Sequence, residues 1–449
     1  MTELIRILHL NDLHSHFENF PKVKRFFHDN QAQPIETISL DLGDNIDKSH
    51  PLTEASSGKA NVQLMNELGI ELATIGNNEG VGLSKKDLDQ VYKDSDFTVI
   101  VGNLKDNIIE PSWAKPYIIY ETQQGTKLAF LAYTFPYYKT YEPNGWTIED
   151  PIDCLKCHLQ INEIKEANCR ILMSHLGIRF DTRIAQEFSE IDLIIGAHTH
   201  HLFEEGELIT GTYLAAAGKY GRFVGSIDIT FDNHTLKDIL ISTYDTKQLT
   251  GYPSDSDWAK EIESEGIESE GKEQLRKESL ISFPAPLSLE ESCQLVMDAM
   301  LFYAGADVAI INSGLIVQPF EKDFSRKNLH ESLPHQMRLA KLTVSSQELL
   351  EIYETIYQQG QFLAQQKIHG MGFRGKYFGE VLHSGFDYKN GKIVYNEKDI
   401  DAKEEVILVI VDQYYFASYF ECLKTKKVDL LFPELLRDVV ADYLINMTL

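Results

Sequence analysis

Hydrophobic and polar positions alternate along the first half of the chain in one repeated pattern. Short apolar runs stand at residues 5–10, 36–42, 71–76, 97–103, 127–135, 170–177 and 192–200. Their near-continuous apolar character is typical of strands that are buried on both faces of a sheet. Segments with helical spacing lie between them, at residues 54–69, 84–93 and 153–169. The pattern predicts an α/β fold in which strands and helices form separate layers.

The pattern changes after residue 210. Residues 211–241 predict antiparallel strands that close the sheet, so a first domain is expected over residues 1–250. Residues 251–285 open with Gly, Pro and Ser and continue as a charged helical stretch, which predicts a mostly helical linker. A solvated surface helix of one domain is the alternative. Residues 286–449 predict a second α/β domain, with helices at 289–303, 346–359 and 434–446 and strands at 307–311 and 406–411.

Composition and charge narrow the possible partners. The chain has 449 residues with 42 basic and 68 acidic side chains, a net charge of −26. This balance opposes nucleic acid or an anionic membrane as the main partner, because phosphate backbones are bound by clustered Lys and Arg. The amino terminus lacks a signal-peptide pattern, and no apolar run approaches the ~20 residues of a membrane helix. Five cysteines fit reduced thiols, and we expect a cytoplasmic protein.

Five of the apolar runs end in residue types that bind divalent metals. These ends are Asn11-Asp12-Leu13-His14, Gly43-Asp44, Gly76-Asn77-Asn78-Glu79, Ser174-His175 and Gly196-Ala197-His198-Thr199-His200. In open α/β sheets, ligands bind beyond the carboxyl ends of the strands. A carboxylate can bridge two divalent ions, imidazole suits transition metals, and Asn adds a neutral oxygen. Two ions held this way can lower the pKa of a bound water and polarise a phosphoryl group.

The order of these motifs carries a resemblance to a known family. DLH at 12–14, GD at 43–44, GNNE at 76–79, SHLG at 174–177 and GAHTH at 196–200 resemble the motifs of calcineurin-like metallophosphoesterases, and within them the two-domain 5′-nucleotidases. The resemblance implies an N-terminal four-layer sandwich, in which helices flank β-sheets, and a C-terminal α/β substrate-binding domain. It also implies two divalent ions, with Mn, Zn, Co and Fe as candidates. One would be held by Asp12, His14 and His200, the other by Asn77, His175 and His198, with Asp44 bridging them.

The sequence departs from the family at two positions of one motif. The family has a His where this chain has Asn78, and an Asp that orients this His where this chain has Val81. The family's His lies near the phosphoryl group as a stabiliser or proton donor. Asn78 can donate a hydrogen bond to a phosphoryl oxygen but cannot donate a proton, so we expect only a transition-state contact from it. Because positioned acids contribute about 10²–10⁴-fold, substrates with good leaving groups would lose least.

The C-terminal half also departs from the family. Asn312-Ser313-Gly314 stands where the family has a block ending in Arg, and that Arg is missing. Arg374, in the Gly-rich stretch 370–376, is a candidate phosphate ligand because Arg can contact phosphate through two N–H groups. Phe386 and one of the aromatics at 414–416, with Tyr415 preferred, are candidates for stacking a base. A buried aromatic strand is the competing interpretation of residues 414–416.

Together these patterns predict a phosphoester hydrolase that depends on two metal ions. It would resemble a 5′-nucleotidase and act on nucleotides or related phosphate esters through metal-activated water. A nucleotide-sugar or other diphosphate hydrolase is one alternative. A metal-containing binding or regulatory protein with weakened catalysis is another. The expected partner is a small phosphate ester, without nucleic acid or membrane, and the oligomeric state stays open.

Overall fold

A computed structural model describes residues 2–249, 257–368, 372–389, 391–395, 398–399 and 405–447. The chain divides into two compact units, Met1–Gly271 and Lys272–Leu449. One helix, Asp257–Arg276, spans the boundary between them. Helical structure was predicted for this stretch, but residues 250–256 lie outside the described residues. The linker at 251–285 therefore stays a prediction.

The described residues of the first unit form fifteen strands. They are β1 (Thr2–Leu10), β2 (Glu36–Asp41), β3 (Leu72–Ala73), β4 (Thr98–Ile100), β5 (Leu104–Lys105), β6 (Ala114–Lys115), β7 (Tyr117–Glu121), β8 (Lys127–Thr134), β9 (Thr147–Ile148), β10 (Cys169–His175), β11 (Leu193–Gly196), β12 (Glu207–Ile209), β13 (Thr212–Ala215), β14 (Phe223–Asp232) and β15 (Thr235–Asp245). A seven-stranded sheet has the order β15-β14-β1-β2-β3-β4-β6, and a six-stranded sheet has the order β12-β13-β11-β10-β8-β7.

Helices cover these sheets. The α-helices are α1 (Phe20–Gln31), α2 (Pro51–Ser56), α3 (Lys59–Glu67), α4 (Asn77–Gly80), α5 (Lys85–Val91), α6 (Tyr138–Tyr141), α7 (Pro151–His158), α8 (Asn162–Lys165), α9 (Ile178–Glu187) and α10 (Asp257–Arg276). Short 3-10 helices occupy Phe17–Asn19 and Tyr92–Asp94.

Alternation along β1 shows how the layers stack. Ile5 and Ile7 pack in a core that also contains residues of the six-stranded sheet, such as Phe130. Leu8 and Leu10 point the other way, into a core shared with helices on the outer face. A third core lies between the six-stranded sheet and its own helices. Because side chains alternate across a strand, the two sheets pack face to face between helical layers, and the expected four-layer sandwich is confirmed.

Four local expectations for the first unit were wrong. The helix expected at 153–169 is two helices, because α7 ends at His158 and α8 begins at Asn162. The helix expected at 54–69 is interrupted by left-handed backbone at Ser57 (φ 50°) and Gly58 (φ 83°). The strand expected at 71–76 is only Leu72–Ala73, so Gly76 lies in a loop. Residues 211–241 are not all antiparallel, because β13 pairs parallel with β11 in the second sheet, while β14 pairs antiparallel with β1 and β15 in the first.

The second unit is built around a five-stranded sheet of order β20-β17-β24-β19-β25. The strands of the second unit are β16 (Ser279–Ser282), β17 (Val308–Asn312), β18 (Asp323–Ser325), β19 (Leu339–Ser345), β20 (Val381–Ser384), β21 (Asp387–Lys389), β22 (Lys392–Tyr395), β23 (Lys398–Asp399), β24 (Glu405–Val411) and β25 (Asp429–Leu431). Its α-helices are α11 (Leu289–Ala304), α12 (Arg326–Ser332), α13 (Ser346–Leu363), α14 (Asp412–Phe416) and α15 (Leu436–Met447), with 3-10 helices at Ser313–Leu315 and Glu421–Leu423.

Helices α11 and α13 pack against this sheet. Leu408 and Val409, neighbours on β24, are both fully buried, and this requires cover on both faces of the sheet. The serines at 288 and 345 begin α11 and α13 through capping boxes with Glu291 and Glu348. A buried aromatic strand was the competing interpretation of residues 414–416. They lie instead in the short helix α14, and its two tyrosines are buried.

Candidate metal centre

The carboxyl ends of five strands meet at one edge of the first unit. β1, β2 and β3 run parallel in one sheet, and β10 and β11 run parallel in the other. The loops that follow them bring predicted ligands together in two groups whose ligand atoms lie within 4.8 Å of one another. The groups are Asp12, His14 and His200, and Asp44, His175 and His198.

The spacing of the first group suits one cation. His14 Nε2 lies 3.3 Å from His200 Nε2. The Asp12 Oδ1 atom lies 3.5 Å from His200 Nε2 and 3.9 Å from His14 Nε2. Atoms that bind one transition-metal ion at about 2.0–2.2 Å stand roughly 3–4 Å apart. The three side chains are therefore placed as ligands of a single ion would be.

Asp44 belongs to the second group and also lies close to the first. Its Oδ2 atom is 3.5 Å from His175 Nε2 and 3.7 Å from His14 Nε2. This is the position that the resemblance gives to a bridging carboxylate.

Two buried polar atoms of the candidate ligands support metal binding. His175 Nε2 and Asn77 Oδ1 have no hydrogen-bond partner among the described residues. Buried polar atoms without a partner are costly and need an explanation. The other ring nitrogen of His175, Nδ1, lies 2.7 Å from the Leu42 carbonyl oxygen, the kind of contact that aims a metal-binding histidine. The residues present fit a pair of divalent ions.

The electrostatics of the site also favour cations. Asp12, Asp44 and Asp47 are buried carboxylates. Burial lowers the pKa of the His175 imidazole, but the Asp44 and Asp12 carboxylates outweigh burial and raise it to about 10. Burial also opposes charge on His14, yet hydrogen bonding to Asp47 and the charge of Asp44 raise its pKa. Positive charge is therefore favoured between these carboxylates.

The backbone that carries the ligands is strained. Five ligand positions have left-handed φ, namely Asp12 (45°), His14 (50°), Asp44 (51°), His198 (71°) and His200 (56°). Such conformations cost roughly 1–3 kcal/mol each outside glycine and persist where surrounding contacts hold them. Here the loops hold one another: the His14 N–H donates to the Asp44 carbonyl oxygen (2.8 Å), and the His198 N–H donates to Asp12 Oδ1 (3.1 Å).

Glu79 clamps the loop around Asp44. Its fully buried carboxylate accepts the N–H groups of Asp44 (2.9 Å), Ile46 (2.8 Å) and Gly76 (2.8 Å). Burial raises the pKa of Glu79. Glu79 belongs to the GNNE motif at 76–79, but the sequence analysis predicted no role for it.

Asn78 makes contacts that its sequence position did not reveal. Its side-chain Nδ2 lies 3.0 Å from His14 Nδ1, and Asn77 Nδ2 lies 3.2 Å from its Oδ1. The Asn78 N–H donates to Asp44 Oδ1 (2.8 Å). The amide thus contacts a candidate ligand, and its expected contact with a phosphoryl group stays a prediction. Val81 packs against the apolar core, so the position of the family's Asp is structural here.

Sequence reasoning missed two polar residues that touch candidate ligands. Asp47 Oδ2 lies 3.7 Å from His14 Nδ1. The Tyr137 hydroxyl lies 3.4 Å from His198 Nε2, beside the Phe135 ring that stacks on His198. Tyr137 follows β8 at the sheet edge that carries the ligands, and its place after an apolar run was the signal that could have found it.

The predicted substrate-binding residues of the second unit differ in exposure: one is exposed and two are buried. Arg374 is exposed, and its backbone N–H donates to His335 Nδ1 (2.9 Å). Residues 369–371, which precede it, lie outside the described residues. Phe386 and Tyr415 are only 8% and 7% exposed. Phe386 stacks on His383, with ring centroids 4.4 Å apart. Burial in the core does not favour base stacking by either ring, and that role stays a prediction.

Comparisons with known proteins agree with the motifs. The sequence profile described as calcineurin-like phosphoesterase matches residues 5–202. An uncharacterized metallophosphoesterase of Bacillus subtilis (strain 168), YunD, is 33% identical over 464 residues, which cover 98% of this chain and 99% of the relative. The chain belongs to the calcineurin-like metallophosphoesterases. This family consists of hydrolytic enzymes that use divalent metals, so the resemblance and the expected enzyme class are confirmed.

Solved structures agree on the fold. Haemophilus influenzae NAD nucleotidase superposes with a TM-score of 0.64 at 16% identity, covering 99% of this chain and 97% of that one. A 5′-nucleotidase precursor from Thermus thermophilus gives a TM-score of 0.59 at 18% identity, with 99% and 96% covered. The metallophosphoesterase therefore has the fold of two-domain 5′-nucleotidases. Among its described residues, no helix is both long and apolar enough to cross a membrane.

Proposed function

We propose that this metallophosphoesterase hydrolyses phosphate esters with two divalent ions, one at each ligand group. The observation that carries the proposal is the position of Asp44, whose Oδ2 atom lies within 3.7 Å of imidazole nitrogens from both groups. Asp12, His14 and His200 would hold one ion. His175, His198 and Asn77 would hold the other, and Asp44 would bridge the two.

The side chains around the ions would keep this geometry fixed. Bound ions would supply a water of lowered pKa and neutralise charge on the phosphoryl group. Glu79 holds the Asp44 loop through three backbone N–H groups. Asn78 and Asp47 lie on the Nδ1 side of His14, which leaves Nε2 directed at the centre. Because these contacts hold the strained loops in place, the ligand side chains would not have to rearrange when the substrate binds.

Nucleotides or related phosphate esters are the proposed substrates. Support comes from the fold that the chain shares with a 5′-nucleotidase precursor and a NAD nucleotidase. Asn78 favours a second candidate, a diphosphate hydrolase. An amide cannot protonate a leaving group, so esters whose leaving group needs no proton would be turned over best.

We propose further that residues 286–449 form the substrate-binding domain and that 251–285 link it to the catalytic one. Arg374 is the proposed phosphate ligand, because it is an exposed arginine in a Gly-rich stretch. Phe386 and Tyr415 would need rearrangement to stack on a base, since both rings are buried.

The test is hydrolysis by metal-stripped protein reloaded with Mn²⁺, Co²⁺ or Zn²⁺. The panel contains p-nitrophenyl phosphate, 5′- and 3′-nucleotides, a cyclic nucleotide, a nucleotide sugar and a dinucleoside polyphosphate. Asp44→Asn removes the proposed bridge. Asp238→Asn makes the same change at an exposed position of β15, and serves as the matched control.

We expect metal-dependent turnover that Asp44→Asn abolishes and Asp238→Asn leaves intact. A preference for diphosphates and aryl phosphates over alkyl monoesters would support the assignment to Asn78. An Asn78→His, Val81→Asp double variant should then gain activity on alkyl monoesters. Bound metal without turnover of any ester would contradict the proposal and favour a binding or regulatory protein.

A further inference from the structure

The loop at residues 216–222 lies at the same sheet edge as the metal centre. β14 begins just after it and pairs antiparallel with the end of β1, with Gly225 opposite His9. Two hydrogen bonds attach the loop to the ligand loops. The Tyr220 N–H donates to the Asp12 carbonyl oxygen (3.0 Å), and the Gly218 N–H donates to the His201 carbonyl oxygen (2.9 Å). The loop is therefore fixed beside the first ligand group.

Tyr220 adopts a backbone conformation that bulky residues rarely take. Its φ is 63°, and the glycines at 218 and 221 flank it with φ of 70° and 57°. A non-glycine residue in this region carries backbone strain. In this conformation the centroid of the phenol ring lies 5.7 Å from that of the His14 ring and 3.8 Å from that of the His16 ring. The ring thus stands next to a candidate metal ligand.

Two cations lie over the Tyr220 ring. Lys219 Nζ is 4.4 Å and Arg222 Cζ is 5.4 Å from its centroid. Both distances are within the ~6 Å at which the ring quadrupole attracts a cation. Because the same ring lies 5.7 Å from the His14 ring, both cations lie near the first ligand group. We call Lys219 and Arg222 the rim cations.

The rim cations have no acidic partner in the part of the chain that the structure describes. This is unexpected in a chain of net charge −26. Glu18, which lies in the short 3-10 helix after β1, contacts His16 (3.4 Å). The two positive charges lie beside the candidate metal centre and form no ion pair with a carboxylate of the described residues. They are therefore suited to bind an anion of the substrate.

We propose that the rim cations bind a second phosphate group of the substrate while the first lies at the metal centre. Tyr220 is the positioning residue that keeps both cations at the rim. The inference rests on the proposed function and deepens it, because it restricts the substrate to esters with two neighbouring phosphate groups. It places a specificity site within the first unit.

The test compares two non-hydrolysable probes, methylenediphosphonate and methylphosphonate, which carry two phosphonate groups and one. Isothermal titration of Mn²⁺-loaded protein gives their affinities, and metal content is measured afterwards to exclude stripping. The same titrations are repeated on metal-stripped protein. The variants are Lys219→Gln, Arg222→Gln, Tyr220→Leu and Tyr220→Phe. Lys237→Gln removes an exposed charge near the opposite end of β1 and is the matched control.

We expect the two-group probe to bind at least about tenfold more tightly than the one-group probe, since hydrogen bonds to charged groups are among the strongest that proteins make. Lys219→Gln and Arg222→Gln should each remove most of this advantage and leave methylphosphonate affinity within about twofold. Tyr220→Leu should act like them, while Tyr220→Phe, which keeps the ring face, should behave like wild type. If the rim variants also lose affinity for methylenediphosphonate when the protein is metal-stripped, that result still assigns the anion site to the rim cations.

Equal affinity for the two probes would overturn the inference. So would an equal loss for both probes in Lys219→Gln, or an effect of Lys237→Gln as large as that of Lys219→Gln. p-Nitrophenyl phosphate separates this inference from the proposed function, because it carries no second phosphate. Turnover of this ester with unaltered diphosphonate binding in the rim variants defeats the inference alone. Rim-dependent binding without turnover of any ester defeats the proposed function alone.

Discussion

Gly76→Ala tests whether the close packing of the ligand loops sets metal affinity. Gly76 has φ −100° and ψ −167°, a conformation that alanine adopts freely, so the substitution brings no backbone strain. A β-carbon there would lie 2.0 Å from Asp44 Oδ1 and 2.6 Å from His175 Cε1. The added methyl group therefore acts only through space, on two candidate ligands at once.

The size of the effect follows from these distances. Ordinary contact begins at 3.4 Å, so the Asp44 oxygen would have to retreat by about 1.4 Å. Metal–ligand distances tolerate only about 0.2 Å. We therefore expect affinity for Mn²⁺ to fall at least as far as after loss of an orienting contact, about 10–100-fold. Overpacking should also cost about 1–3 kcal/mol of unfolding free energy without metal.

The assay measures Mn²⁺ binding and thermal unfolding, with and without metal, for wild type, Gly76→Ala and Gly266→Ala. Nothing lies within 4 Å of a β-carbon at Gly266, a helical position, so this control should be neutral or slightly stabilised. A 100-fold loss of affinity should reduce the stabilisation by saturating Mn²⁺ by about 2.7 kcal/mol. Wild-type Mn²⁺ affinity in a folded Gly76→Ala protein would refute the packing argument.

Three further predictions concern residues that sequence reasoning left out. Asp47→Asn removes a carboxylate beside His14 Nδ1 and should weaken Mn²⁺ binding about tenfold; unchanged binding in chelator competition would count against its positioning role. Tyr137→Phe removes the hydroxyl beside His198, so the same competition should show a loss between about two- and tenfold, whereas no loss would mean that the contact is idle. His335 is buried with a pKa lowered to about 4, so its contribution to stability is complete above about pH 6.5 and is lost as the pH falls towards 4. With chelator present, the unfolding free energy of His335→Gln should therefore fall by about 3 kcal/mol less than that of wild type over this pH range. Parallel curves of unfolding free energy against pH for the two proteins would refute the assignment.

The His335 prediction has a geometric basis. Its two ring nitrogens have different partners: Nε2 lies 2.8 Å from the Leu315 carbonyl oxygen, and Nδ1 accepts the Arg374 N–H. The neutral ring satisfies both contacts, one as donor and one as acceptor. Protonation would place a hydrogen on Nδ1 facing the Arg374 N–H, so the folded state resists it.

Much of the layered architecture could be predicted because burial on both faces leaves a continuous apolar pattern in the sequence. Ile5 to Leu10 illustrate this, since alternate residues enter two different cores. The short strand Leu72–Ala73 and the break at Ser57 and Gly58 could not be predicted. Both depend on local backbone conformation and pairing partners, which the hydrophobic pattern does not record.

The same distinction applies to the aromatic residues. Tyr415 and Phe386 have the composition of a stacking platform, and nothing in the sequence separates a stacking ring from a core ring. Their exposed fractions are 7% and 8%. Phe386 packs both on His383, three residues away, and on Tyr353 of α13, with ring centroids 5.1 Å apart. The aromatic run at 414–416 forms a short helix because β24 ends at Val411.

The sequence by itself indicated which residues are candidate metal ligands and in what order they occur, because each follows a strand and parallel strands end at one sheet edge. Only the tertiary structure decided how they work together. It placed Asp44 of the second group close to the first, directed Asn78 to His14, and brought Asp47 and Tyr137 against the candidate ligands. It also set the rim cations over Tyr220. These relations join loops far apart in the chain, and side-chain contacts across such loops are fixed by how the two sheets pack, which no local pattern encodes.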